Sequence, residues 1–158
     1  MKTTNLGREI PPVSSGRLNL KGEALLYFRI SQFMKRHYPN VIYRFDVEAG
    51  LHARIRGEKS KPMVTLLKQL VGRLKWSYGH ERGYPDLFIA HPANGRGGLY
   101  LELKREGARI HKKNGDFVSE HVERQALYLE RLRNAGYGAG FAVEDEVFNV
   151  LEDYLGQS

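Results

Sequence analysis

Apolar positions along the chain recur with two periods, and the switches between them mark out its elements. From Glu23 to about His37, Leu25, Leu26, Ile30, Phe33 and Met34 return at helical spacing, and the pattern stops at Tyr38-Pro39-Asn40, where proline disfavours a helical residue before it. Val41, Tyr43, Phe45 and Val47 then alternate with Ile42, Arg44, Asp46 and Glu48, the pattern of a strand with one buried face, which Ala49-Gly50 ends. From about Lys61 to Lys75, Val64, Leu67, Leu70, Val71 and Leu74 form one stripe, predicting a second helix packed on the core with its cationic side outward. Asp86 to His91 and Gly98 to Lys104 read as two strands joined through Pro92 to Gly97 in a hairpin.

Arg105 to Val118 is polar and punctuated by glycine, the composition of a loop. Ser119 is placed to cap a third helix, with Glu120 and Glu123 in its first turns, Val122, Ala126, Leu129 and Leu132 as its buried stripe, and an end near Asn134-Ala135-Gly136. A short strand over Gly138 to Val143 and a closing helix over Glu144 to Leu155, with Val147, Val150, Leu151 and Tyr154 inward, complete the chain. The order predicts a mixed α/β domain around a central sheet over residues 19–158, preceded by a flexible arm over 1–18 that contains Pro11-Pro12 and Ser14-Ser15-Gly16.

A chain of 158 residues is long enough for one core without covalent staples. Cysteine is absent, which removes disulfides and thiolate metal sites and fits a reducing compartment. With no long apolar run and no leader pattern, the expected location is the cytoplasm of a bacterial or phage-infected cell. The net charge of +7 makes a polyanion the first partner to consider. Arg54, Arg56, Lys59, Lys61, Lys68, Arg73 and Lys75 fall in one segment against Glu58, and Lys112 with Lys113 add charge to the later loop. These are candidate DNA contacts; a solvated helix face explains such a run equally well.

Within Leu99 to Lys104, the side chains of Tyr100, Glu102 and Lys104 share one strand face, with Glu102 and Lys104 about 6 to 7 Å apart at the backbone. Asp86 enters the preceding strand just after Pro85, so pairing of the two strands brings both acids together. Phosphodiester hydrolysis needs an activated water, neutralised phosphoryl oxygens and a stabilised leaving alkoxide, and hard cations on carboxylates supply all three.

At these residues the sequence resembles the PD-(D/E)XK nuclease superfamily. Pro85-Asp86 matches its first motif element, and Glu102-Leu103-Lys104 its acid-any-lysine element. The resemblance narrows to the VRR-type nuclease domain: Gly83 to Leu87, Leu99 to Arg105, Gln125 and Gly136-Tyr137 follow that family's order, over about Arg82 to Leu155. It implies a restriction-endonuclease-like fold, with Mg2+ or Mn2+ held by Asp86, Glu102 and the Leu103 backbone carbonyl. Lys104 would orient the attacking water or offset developing charge, and Gln125 would touch the site or a substrate phosphate. Glu23, on the first helix, would be an extra acid in both catalysis and metal binding.

Each of these residues has a plainer reading. Asp86 beside proline fits a turn, Glu102 with Lys104 fits a solvated ion pair, and Glu23 suits a helix's first turn on dipole grounds alone. Asp46 and Glu48 rival Glu23 as the third carboxylate. The histidines His37, His52, His80, His91, His111 and His121 show no metal-ligand spacing, although His121 lies on the same helical side as Gln125. Tyr27, Tyr43, Trp76, Tyr78, Tyr84 and Tyr100 are fit either to stack on bases or to fill the core, with Trp76 and Tyr78, next to the basic helix, leaning toward contact. Taken in family order, the motifs favour a DNA endonuclease selective for branched substrates such as four-way junctions and acting as a homodimer. The rival readings are a flap, end or single-strand nuclease and a basic DNA-binding module without catalysis.

Overall fold

Residues 2–13, 20, 22–46, 60–77 and 83–156 are described by the computed structural model, with the backbone alone for 74–76. The elements are α1 (Gly22–His37), β1 (Tyr43–Phe45), α2 (Lys61–Ser77), β2 (Leu87–Ile89), β3 (Leu99–Lys104), α3 (Glu120–Asn134), β4 (Gly138–Val143) and α4 (Glu146–Leu155). The strands form one sheet in the order β1-β2-β3-β4. β1 and β3 each run antiparallel to β2, while β4 runs parallel to β3. A parallel neighbour requires a crossover, and α3 supplies it.

Asn94 and Gly95 turn β2 into β3 with positive φ at both positions, 52° and 70°. Ala93 and Arg96 close this two-residue turn with reciprocal backbone bonds of 3.1 and 2.9 Å. Its twist matches that of the strands it joins.

Leu87, Ile89, Leu99, Leu101, Leu103 and Ala142 point into one buried cluster, which Leu26, Ile30, Phe33 and Met34 of α1 and Val147, Phe148, Leu151 and Leu155 of α4 fill from the helix side. The rings of Phe33 and Phe148 meet edge to face at 5.2 Å and join the two helices. The opposite face of the sheet carries the even-numbered residues of β3, and α3 packs against β3 and β4 there.

Several elements depart from their sequence pattern. Of the alternating stretch, Val41 to Asp46 are described and contain the strand Tyr43–Phe45, while Val47 to Gly50 lie outside the described residues; single bonds from Ala90 N–H to Ile42 O and from Asp46 N–H to Asp86 O, 2.8 and 2.7 Å, extend the contact. α2 forms, but its stripe does not join the main core: Val64 and Leu67 are half-buried, Leu70 is exposed, and Val71 is buried outside the cluster. In α3 the buried line is Val122, Gln125 and Leu129, with Ala126 and Leu132 half-buried, so an amide lies on the inward stripe. Ser119 caps that helix as expected, its side chain accepting from Val122 N–H. α4 begins at Glu146, and the Asp145 carboxylate before it pairs with Arg29 at 2.9 Å and makes no side-chain cap.

Within the expected arm, residues 2–13 are docked on the core. Thr3 and Glu9 bridge, Ile10 enters the apolar cluster, and Leu6 N–H donates to Glu152 Oε2 at 2.9 Å. Arg8 Nε lies 3.1 Å from the buried Glu152 carboxylate. The buried Arg29 also donates to Pro11 O at 2.9 Å, so one guanidinium ties this segment to the start of α4.

Candidate active site

The pairing of β2 with β3 matches Leu87 to Leu101, Phe88 to Tyr100 and Ile89 to Leu99. One further step along that register sets Asp86 opposite Glu102. Pro85 stands before it, and the strand pairing ends at Leu87, as expected where a residue lacks an N–H. Beyond the paired stretch, Leu103 N–H donates to Asp86 Oδ2 at 2.8 Å, which fixes the carboxylate against the third strand. The chain reaches Pro85 through Gly83, whose φ of +92° and close passage over α3 suit glycine: a Cβ there would lie 3.2 Å from Arg124 O.

Glu102 is 4% exposed, and its Oε1 accepts bonds from Lys104 Nζ at 3.2 Å and from Gln125 Nε2. Lys104 Nζ also donates to Gln125 Oε1 at 2.7 Å, closing a three-residue ring, and lies 5.3 Å from the centre of the Phe141 ring. The inward amide of α3 therefore orients both the acid and the lysine of β3. Asp86 Oδ1 accepts from Tyr27 OH at 3.1 Å, and the Tyr27 ring is stacked on Phe45 at 4.8 Å.

The two carboxyl groups are in mutual contact, and Glu102 Oε2 is buried with no hydrogen-bond partner among the described residues. Burial first, and the Asp86 charge second, push Glu102 up to about 8, with Lys104 opposing. Burial also raises Asp86, against the bonds from Leu103 N–H and Tyr27. Desolvation raises Tyr27 as well, and the neighbouring carboxylates add to it, so its hydroxyl stays a donor. Two acids forced together out of water need a proton or a cation between them. The donor set fits a small divalent ion: hard oxygens, one without a partner, and an ion type that binds through one or two carboxylates and keeps several waters.

The structure brings together Asp86, Glu102, Lys104 and Gln125 from the residues expected for chemistry, with Leu103 between two of them. Glu23 lies one turn before Tyr27 on the same side of α1, at the rim, with Arg105 at 3.9 Å from its carboxylate. Among the described residues no group of three or more acids and histidines is set to hold a metal ion. Glu48, His52, His80, Tyr78, Arg54, Arg56 and Lys59 lie outside the described residues, as do the side chains of Lys75 and Trp76. Lys61, Lys68 and Arg73 on α2 and Lys112 and Lys113 in the loop after β3 are exposed, as is His121. Tyr27 is the participant the sequence did not assign to the site; its place one turn after Glu23 was the available signal.

Most of the chain is laid out like a known protein. It shares its fold with a VRR_NUC domain protein. The solved structure of that name is 21% identical, with a TM-score of 0.55 over 88% of this chain and 93% of that one. No family model matches the sequence, and no curated protein does. At that identity the likeness concerns the path of the backbone, and the site above rests on its own geometry.

Proposed function

We propose that the protein is a Mg2+- or Mn2+-dependent deoxyribonuclease of the PD-(D/E)XK type that acts on branched DNA. The observation that carries this reading is the buried contact between Asp86 and Glu102, where Glu102 Oε2 receives no donor among the described residues, beside a lysine held by Gln125. A structural ion pair does not need two carboxylates pressed together away from water, because each costs desolvation that the other worsens. A divalent cation, when bound, supplies the charge that makes a water nucleophilic and offsets the negative phosphoryl oxygens.

Asp86 and Glu102 would hold that ion, with the Leu103 carbonyl as the further ligand that the motif implies. Lys104, held by Gln125 and Glu102, would orient the attacking water or offset charge on a phosphate oxygen, where a preset charge acts without rearrangement. Tyr27 and Leu103 N–H keep Asp86 from turning away. The exposed cations Lys61, Lys68, Arg73, Lys112 and Lys113 supply sequence-independent attraction for the backbone. Two copies related by a two-fold axis would address both strands of a symmetric junction, and sedimentation at working concentration reads that assembly.

The decisive experiment compares cleavage of a four-way junction, a flapped duplex and a linear duplex with Mn2+, using Asp86→Asn as control. Preferential nicking of the junction, lost in the variant, is the expected result. Cleavage that survives Asp86→Asn overturns the site, and equal cleavage of linear duplex overturns the substrate class. Among the described residues no helix is long and apolar enough to cross a membrane.

A further inference from the structure

The face of the sheet that holds Glu102 and Lys104 continues into a patch of aromatic rings that the reaction does not use. Phe88 and Tyr100 are cross-strand partners and stack at 4.3 Å with 21° between their planes. Tyr84, two residues before Asp86, meets Tyr100 edge-on at 6.0 Å and Tyr128 of α3 at 5.7 Å. None of these four rings belongs to the apolar core cluster; Tyr84 is 37% exposed, and the other three are half-buried.

Cations border the patch. Arg131 holds its guanidinium carbon 5.1 Å from the centre of the Tyr128 ring, and Arg44, exposed, pairs with Phe88 across the sheet. Tyr100 and Glu102 share a strand face two residues apart, so the rings begin about 7 Å from the proposed metal-holding carboxylates. That is about the reach from one nucleotide to the next along a single strand. Aromatic faces flanked by arginine suit a base that has left its stack, since every base offers a π surface and the guanidinium meets its phosphate.

We propose that Tyr84, Tyr100 and Tyr128 form a stacking platform for an unpaired nucleobase of the DNA substrate, adjacent to the phosphate that is cut. The inference rests on the nuclease reading of Asp86 and Glu102 and specifies which part of a branched substrate the protein grips: nucleotides released from pairing at the branch. Tyr84 is the outermost ring and makes the first contact. Its ring stands at 88° to that of Tyr100, and the two hydroxyls are in contact.

The test uses the full chain in EDTA, so that binding is read without chemistry, and a short single-stranded DNA carrying one 2-aminopurine. Wild type is expected to quench the probe on binding and to hold the single strand more tightly than the matching duplex. Tyr84→Ala weakens single-strand binding by about fivefold or more and removes quenching, while Tyr84→Phe stays within about twofold, because the ring face and not the hydroxyl carries the contact. Tyr128→Ala, on a helix surface, is the second variant and is expected to weaken binding in the same direction; circular dichroism establishes that each variant is folded.

Unchanged affinity and quenching in both alanine variants overturn the platform. So does an equal loss in Tyr84→Phe and Tyr84→Ala, or a loss that disappears at high salt, which would assign the contact to phosphate attraction. Absence of Mn2+-dependent cleavage in the junction assay defeats the nuclease reading and leaves this binding result standing, so the two failures are separable.

Discussion

Lys104 Nζ and Gln125 Oε1 are 2.7 Å apart, and the same amide reaches the Glu102 carboxylate through its nitrogen. A neutral side chain from α3 thus bridges the acid and the lysine of β3. Gln125→Ala is expected to lower kcat by about 10- to 100-fold with little change in KM, because the groups that touch substrate remain while their orientation is lost. Steady-state cleavage at saturating Mn2+ checks this; an unchanged kcat removes Gln125 from the site's machinery.

Metal binding should register in stability before any cleavage is measured. At about 100 times its dissociation constant, a cation that binds only the folded chain adds about 2.7 kcal/mol, a rise in Tm of roughly 5 to 10 °C for a domain of this size. Mn2+ is expected to raise the Tm of wild type and to leave Glu102→Ala and Asp86→Asn unmoved. Equal shifts in all three proteins would place the ion elsewhere.

The raised value of Glu102 has a defined sign in the metal-free protein. Its folded form binds the proton more tightly than the unfolded chain does, with about 8 against the ordinary 4.5. The contribution to stability is therefore complete below about pH 4.5 and is lost as pH rises toward about 8. Urea unfolding in EDTA across that window is expected to show falling stability that Glu102→Gln flattens. A rise with pH instead would mean that Glu102 is ionised throughout.

The elements that periodicity announces are those whose one face meets the core. β3 is legible because Leu99, Leu101 and Leu103 alternate strictly with polar partners, and α3 because Ser119 caps it ahead of Val122 and Leu129. α2 misleads by the same rule: its stripe is regular, yet apolar spacing states what a helix can bury and not what lies opposite. Within the site, Asp86, Glu102 and Lys104 could be read from strand spacing, since register alone sets them face to face. That Tyr27 and Tyr128 reach the sheet depends on how α1 and α3 pack on it; spacing put Tyr27 on the side of Glu23 but did not name its partner. Gln125 sits between these cases, a polar residue on an inward stripe, readable as an anomaly before its partners are known.

The docked segment before α1 makes a separate prediction. Arg8 faces the fully buried Glu152, and its replacement removes the cation from that carboxylate, which keeps the hydrogen bond from Leu6 N–H. Arg8→Ala should cost about 1 to 3 kcal/mol, and Ile10→Ala about 2 to 4 kcal/mol through the space it leaves in the core. Urea midpoints at constant m-value check both; two unchanged midpoints would show that residues 2–13 contribute nothing to stability.

Strict alternation along β3 has a consequence for errors in folding. Because Leu101 faces the core and Glu102 the opposite side, a slip of one residue in pairing would turn the acid toward the core and the leucines to the face that α3 covers. The two faults cannot occur separately. A molecule that has closed its core around Leu99, Leu101 and Leu103 has by the same act set Glu102 and Lys104 together on the other face.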